Sequence, residues 1–157
     1  MQIVRIIILI LVVIFLLLAF VFMHISLDYT RQLKKSKETI YSLFAGQIAL
    51  FSIIGKELRQ PNSDEEIMHE LLEERDFTKL NKIVAEKERA YQELAAKKKN
   101  GNEQVNQLLQ GLSENVILIR NEIYRHNKLV DNINVNVDSV VFSLFVVILR
   151  LKRLTKI

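Results

Sequence analysis

The sequence predicts an all-α protein, in which an N-terminal transmembrane helix precedes an antiparallel, coiled-coil-like bundle of three or four long helices. Three observations support this fold class. An uninterrupted apolar stretch lies near the N-terminus, and apolar residues recur at helical spacing through most of the remaining chain. The 157 residues include only four glycines and one proline, whereas turn-rich β folds use many of both. Half of the residues are apolar, so a packed core is expected.

The apolar stretch runs from Ile6 to Met23 and contains no polar side chain in eighteen residues. A helix of this length rises about 27 Å, which matches the hydrocarbon thickness of a bilayer. A cleavable signal peptide has a shorter apolar region followed by small residues at a cleavage site, and this sequence shows neither. We therefore predict a signal anchor, with a transmembrane helix over residues 6–25 behind a short segment of residues 1–5.

Basic residues on the two sides of the span predict its orientation. Only Arg5 precedes the span, beside the α-amino group. Four basic residues follow it closely: Arg31, Lys34, Lys35 and Lys37. Because the flank richer in Lys and Arg usually faces the cytoplasm, we expect a single-pass protein of the cell membrane with its N-terminus outside and its bundle in the cytoplasm.

Three helices are predicted beyond the span, over residues 27–58, 64–98 and 103–137, and together they form a bundle of residues 27–137. The segment 60–62 contains the only proline and separates the first two helices. Ser63 and Glu66 fit a capping box at the start of the second helix.

Two further signals mark the second helix. A weak point near Asp76 and Phe77 indicates that it divides into two pieces. Three lysines followed by Asn100 and Gly101 indicate its end, because cations and an αL-tolerant glycine favour helix C-termini.

The last helix carries the most regular pattern in the chain, a seven-residue apolar repeat. One row consists of Leu109, Val116, Ile123, Val130, Val137, Leu144 and Leu151. The other row consists of Val105, Leu112, Ile119, His126, Ile133, Val140, Val147 and Leu154. A strict repeat of seven predicts left-handed helix packing along this a/d seam, which only His126 interrupts.

Two apolar segments allow alternative interpretations. Residues 39–55 carry no charge and form either a second span or a buried bundle helix, and their Gly, Ser and Gln content favours the bundle helix. The C-terminal segment, residues 138–157, contains an apolar decamer followed by four basic residues. This segment either lies in the membrane interface or completes the seam of the last helix.

Candidate sites for chemistry are few. His126 could sense pH, but a buried histidine is more often simply packed and hydrogen-bonded. The acidic residues between Glu65 and Glu74 lack the two Glu-x-x-His pairs of a di-metal bundle, and the chain has no cysteine. Nucleotide-binding and hydrolase motifs are missing from the sequence. We expect no enzyme activity, no cofactor, no metal, no nucleic acid and no small-molecule substrate.

In the last helix, Asn127 follows His126 and Asn134 follows Ile133, so that the two asparagines are seven residues apart. This pattern resembles the C-terminal signature of the LemA family, in which two Tyr-Asn pairs have the same separation. Here His126 and Ile133 stand where the family has tyrosine. The residues that carry the resemblance are His126, Asn127, Val130, Ile133, Asn134 and Val137. Residues 52–58 resemble a second family motif, D-L-I-P-N-L-V, with Gly55 in place of proline. The resemblance implies a membrane-anchored helical bundle, N-terminus outside and C-terminus inside, with no established reaction and no catalytic residue.

The sequence therefore favours a LemA-like membrane protein that acts in protein–protein interaction or scaffolding. Its expected partners are membrane lipids and either a protein partner or further copies of the chain. One alternative is a signalling module in which the span moves the bundle helices. Another alternative is an extracytoplasmic coiled-coil component of an envelope or cell-division complex. It differs from the LemA-like hypothesis in the orientation of the chain in the membrane.

Overall fold

The computed structural model describes residues 2–59, 64–97, 103–138 and 153–157. Within these ranges the chain forms four α-helices and no strand. The helices are α1 (Gln2–Leu58), α2 (Glu65–Glu73), α3 (Phe77–Lys97) and α4 (Glu103–Asp138). The predicted all-α bundle with a long apolar N-terminal helix is confirmed.

The described residues divide into two compact units. The first unit contains residues 2–35, 126–138 and 153–156. The second unit contains residues 36–59, 64–97 and 103–125, together with Ile157. The domain boundaries predicted from the sequence lie elsewhere, near residues 25 and 138, because the hydropathy of the sequence changes there. The two units of the structure instead reflect which residues pack together.

The helix boundaries differ from the predicted ones in two places. The span and the first bundle helix are one continuous helix, α1, and neither proline nor glycine lies near residues 24–27 to interrupt it. The predicted helix over 64–98 is two helices, α2 and α3, as the weak point near Asp76 indicated.

A Schellman motif separates α2 from α3. The backbone N–H of Asp76 donates to the carbonyl oxygen of Leu71 at 3.0 Å, and that of Arg75 donates to Leu72 at 3.1 Å. Arg75 takes the left-handed backbone conformation that this motif requires, with φ of 58°. Asp76 then caps α3, because its carboxylate accepts a hydrogen bond from the backbone N–H of Lys79 at 3.1 Å.

The residue that precedes α2 forms an ion pair with α3. The N-cap residue is Asp64, and its side chain makes no capping hydrogen bond. The Asp64 carboxylate instead accepts a hydrogen bond from Lys87 of α3 at 3.0 Å. Ser63 lies outside the described residues. The capping box that begins at Ser63 therefore stays a prediction, and the ion pair joins Asp64 to a lysine that is only 10% exposed.

The core of the second unit is built on one face of α1. The buried residues on this face recur every three or four positions and are Ile40, Phe44, Gln47, Ile48, Phe51, Ile54 and Leu58. They pack with buried residues of the other helices, such as Leu72 of α2, Leu80 of α3 and Leu112 of α4. The uncharged segment 39–55 is therefore packed inside the bundle, as the bundle-helix interpretation predicts.

Aromatic contacts join α3 to α1 within this core. The rings of Phe77 and Phe44 stack with their centroids 5.9 Å apart. The Tyr91 ring lies 5.6 Å from that of Phe51, and the Tyr91 hydroxyl donates to the Phe51 carbonyl oxygen at 3.3 Å. Burial raises the pKa of Tyr91 above its usual value, which favours the neutral phenol in the core.

The a/d seam of α4 is confirmed as far as the helix extends. Every seam position from Val105 to Val137 is buried or half-buried. The prediction that Leu154 belongs to the helical seam is wrong, because residues 153–157 are not helical. The intervening seam positions, Val140, Val147, Leu144 and Leu151, lie outside the described residues.

Two polar contacts cross the antiparallel interface of α1 and α4 in the second unit. The hydroxyl of buried Ser36 donates to Glu122 Oε1 at 2.8 Å. Asn115 Nδ2 donates to Gln47 Oε1 at 2.6 Å and to the Leu43 carbonyl oxygen at 3.1 Å. Gln47 is fully buried, and its Nε2 has no hydrogen-bond partner among the described residues.

This arrangement predicts an asymmetric response to apolar substitution. Asn115→Leu leaves the buried Gln47 carbonyl oxygen unpaired and should lower the free energy of unfolding by about 1–3 kcal/mol. Gln47→Met removes the unpaired amide, while Asn115 keeps its bond to Leu43, so stability should stay within about 1 kcal/mol of wild type or rise. The measurement is denaturant unfolding of the detergent-solubilised full chain, followed by circular dichroism.

Asn106→Leu, at an exposed position of α4, provides the control and should change little. If Gln47→Met destabilised the protein more than Asn115→Leu, Asn115 would not be the residue whose hydrogen bond stabilises the buried Gln47 side chain.

Candidate functional site: the C-terminal clasp on α4 and the apolar surface of α1

The residues that carry the family resemblance all lie on one side of α4. His126 and Val130 are buried, and the others, Asn127, Ile133, Asn134 and Val137, are half-buried. Their positions follow the three-and-four spacing of a helix face and its immediate flank. The structure thus brings the six predicted residues together as a packing face, with Asn134 at its edge.

Asn134 holds the C-terminal residues of the chain. Its Nδ2 donates a hydrogen bond to the Leu154 carbonyl oxygen at 3.1 Å, and its Oδ1 accepts one from the Leu154 backbone N–H at 3.0 Å. An amide side chain can pair in this way with a backbone residue because it carries both a donor and an acceptor. Asn134 therefore acts as a backbone-binding group for an extended segment.

Two ion pairs flank the Asn134 contact. Arg153 forms a two-pronged interaction with Asp138, in which Nε donates to Oδ1 at 3.1 Å and Nη2 donates to Oδ2. Lys156 Nζ lies 2.8 Å from Asp131 Oδ1. We refer to these six residues as the C-terminal clasp: Asp131, Asn134 and Asp138 of α4 with Arg153, Leu154 and Lys156.

The spacing of the clasp matches C-terminal residues that are not helical. Asp131 and Asp138 are seven residues apart on a helix, which corresponds to a rise of about 10 Å. Arg153 and Lys156 are three residues apart and span about 10 Å only in an extended conformation. A helical segment of the same length would rise only about 4.5 Å, so its side chains would have to bridge the remaining distance. The contacts of the clasp therefore belong to a non-helical segment that runs antiparallel to α4.

The electrostatics of the clasp are those of a solvent-exposed contact. The Arg153 side chain is 70% exposed, and ion pairs this exposed contribute little to stability and weaken as salt increases. The hydrogen bond from Arg153 lowers the pKa of the Asp138 carboxyl below its usual value. The contribution of this pair is therefore present above about pH 4 and is lost as the pH falls through the lowered pKa of Asp138.

Sequence reasoning identified Asn134 but missed its charged neighbours. The available signal was charge complementarity, with two aspartates seven residues apart on α4 and two cations three residues apart near the C-terminus. No glycine or proline lies between Asp138 and Arg153 to indicate a reversal of the chain, so the pairing could not be anticipated. The ion pairs become visible only when residues 153–156 are seen to run back along α4.

The apolar stretch of α1 presents a second distinctive surface. Of residues 6–23, all are exposed except Ala19, which is half-buried, and Phe22, which is buried. One helix of the described chain, α1, is long and apolar enough to cross a membrane, and only 6% of its most apolar window is buried. A core helix of a water-soluble protein would have most of these side chains covered by protein. This surface is far larger than the apolar patches of ordinary monomers.

Among the described residues there is no group of three or more histidine, aspartate or glutamate side chains placed to hold a metal ion. Comparison of the chain with protein-family models, curated proteins and solved structures gives no match.

The hydrogen bonds of Asn134 to the C-terminal residues can be tested with a spin label on those residues. Thr155 is exposed and the chain has no native cysteine, so Thr155→Cys accepts a single nitroxide spin label. Asn134→Leu removes both hydrogen bonds to Leu154 and should markedly increase the mobility of the label, measured by electron paramagnetic resonance. Asn132→Leu, an exposed neighbour on α4, is the matched control and should leave the spectrum unchanged. Equal mobility in the two variants would refute the clasp.

Proposed function

We propose that the chain is a single-pass, LemA-like membrane protein that acts in protein–protein interaction or scaffolding, without catalysis. The observation that carries the proposal is the exposed apolar surface of residues 6–23 on α1. In water this surface would be strongly unfavourable, whereas lipid tails would cover it without any unsatisfied backbone group. The continuity of α1 from this stretch to Leu58 supports an anchor that is retained, because cleavage would cut through a regular helix.

The order of the elements supports the LemA-like part of the proposal. An N-terminal apolar helix leads into a bundle whose last helix bears Asn127 and Asn134. The excess of basic residues after the span favours a cytoplasmic bundle. In this arrangement α1 is both the anchor and the central helix of the bundle core.

The continuity of α1 also favours a second candidate, a signalling module. A helix without a break can transmit a rotation or a translation from the membrane to side chains packed in a core. The contacts that would register such a movement are those of Ser36 with Glu122 and of Gln47 with Asn115.

An exposed apolar group on α4 supports interaction with another protein. Ile117, Leu118 and Tyr124 lie on the part of α4 that belongs to the second unit and are each more than half exposed, Tyr124 at 71%. Tyrosine with aliphatic neighbours is typical of the central part of a protein interface. We assign this group as the interaction surface of the bundle.

Membrane insertion and orientation are tested with single cysteines at Gln2, Lys82 and Thr155, all exposed positions. In intact cells, an impermeant thiol reagent should label only the cysteine at position 2. Labelling at position 82 would place the bundle outside and favour the envelope-complex alternative. Labelling of only one of positions 82 and 155 would contradict the proposal, because the C-terminal residues would then lie across the membrane from the bundle.

The interaction surface is tested by a photo-crosslinking residue at position 124, with the same residue at position 82 as the exposed control on α3. Irradiation of membranes should give a discrete adduct at position 124 alone, because only that side chain lies in the apolar group. An adduct of twice the chain mass would identify a second copy as the partner, and a different mass would identify another protein. The interaction proposal fails if position 124 gives no adduct or the same adducts as position 82.

A further inference from the structure

Three basic side chains follow the apolar stretch of α1 on one side of the helix. Arg31, Lys34 and Lys35 are spaced by three and four residues, and all three are exposed. The one acidic residue between the apolar stretch and Arg31 is Asp28, whose carboxylate accepts a hydrogen bond from Gln32 Nε2 at 2.8 Å. The three basic residues are here called the basic collar.

The collar lies at a distance from the span that is fixed by the helix. Arg31 follows Met23, the last residue of the apolar stretch, by eight residues, which is a rise of about 12 Å along α1. Lys34 and Lys35 follow at about 16 and 18 Å. The polar headgroup layer of one leaflet is about 5–7 Å thick, so backbone at Arg31 lies roughly 5 Å beyond it when α1 is upright.

Side-chain direction brings the charges closer to the bilayer than the backbone. In an α-helix the Cα–Cβ bonds tilt toward the N-terminus, and here the N-terminal end of α1 is the apolar stretch. Long basic side chains that point this way reach about 6 Å and place their charged groups at the interface. The Arg31 guanidinium then reaches the headgroup layer, and the two lysine ammonium groups lie within about one Debye length of it.

The chemistry of the collar fits a phosphate-bearing, negatively charged surface. A guanidinium binds phosphate oxygens in a bidentate manner, and neighbouring ammonium groups add attraction without a fixed geometry. Because the three charges share one side of the helix, they act on the same patch of lipid. Each basic residue near the surface increases the association constant for anionic lipid about fivefold.

We infer that the basic collar is a binding surface for anionic phospholipid headgroups, which enrich around α1 in the membrane. This inference rests on the proposed function, because it requires the apolar stretch of α1 to span the bilayer. The inference names anionic phospholipid as a binding partner of the anchor helix. Arg31 makes the most direct contact with the lipid headgroups.

The test uses the full chain reconstituted into phosphatidylcholine vesicles that contain a trace of spin-labelled phosphatidylglycerol or spin-labelled phosphatidylcholine. The immobilised fraction of each label gives the relative association of the two lipids with the protein. Wild type should prefer phosphatidylglycerol by about fivefold or more at low salt. The preference should fall toward onefold in 1 M salt, where the Debye length is about 3 Å.

Two double variants distinguish the effect of the collar from the effect of the total charge of the protein. Arg31→Gln with Lys34→Gln should lose most of the preference. Lys82→Gln with Arg89→Gln removes the same charge from exposed positions of α3 and should keep it. Equal preference in wild type and both variants, or no preference in wild type, would overturn the inference.

A separate measurement distinguishes failure of membrane insertion from failure of the collar to bind lipid. Flotation of the phosphatidylcholine vesicles after an alkaline carbonate wash reports whether the chain is inserted. A chain that is washed off contradicts the proposed function and with it the collar. A chain that floats but does not discriminate between the two lipids contradicts the collar alone.

Discussion

The burial of one face of α1 between Ile40 and Leu58 is the interaction on which the rest of the structure depends. This face contributes Phe44, Phe51 and Ile54, which are fully buried, and residues of α2, α3 and α4 pack in the same core. The short helix α2 is only nine residues long and would be marginal in isolation, so its stability comes from this packing. The turn at Arg75 and Asp76 and the stacking of Phe77 on Phe44 together bring α3 to the same face.

The same helix meets two different environments, and its sequence changes accordingly. Residues 6–23 are apolar around the whole circumference, which suits lipid, whereas residues 36–58 are apolar on one face, which suits a bundle. Among the described residues of α1, the buried polar side chains are Ser36 and Gln47, both in the second environment. Glu122 accepts a hydrogen bond from Ser36, and Asn115 donates one to the Gln47 side-chain oxygen. Polar layers of this kind favour one helix register over its neighbours, because a shift by one turn would leave them unpaired.

Much of the fold follows from the sequence because helix periodicity is a local property. The end of α1 at Leu58, the start of α4 at Glu103 and the buried positions of the a/d seam were predictable from spacing and turn residues. The continuity of α1 was less evident, because a change of hydropathy near residue 25 looks like a boundary although the backbone has no reason to break. The clasp was predictable only in part, since Asn134 stands out in a helix, whereas its partners near Leu154 are distant in sequence.

The physical character of the clasp differs from that of the core, and the difference has a structural consequence. The core is held by buried apolar area, which salt and moderate changes of pH affect little. The clasp is held by exposed charges and by two hydrogen bonds from one amide, so its strength depends on ionic strength and on the ionisation of Asp138. Ile157, one residue beyond the clasp, packs against the apolar core of the second unit. Residues 153–156 are thus positioned by polar contacts along α4, and changes of salt concentration or pH can release these contacts.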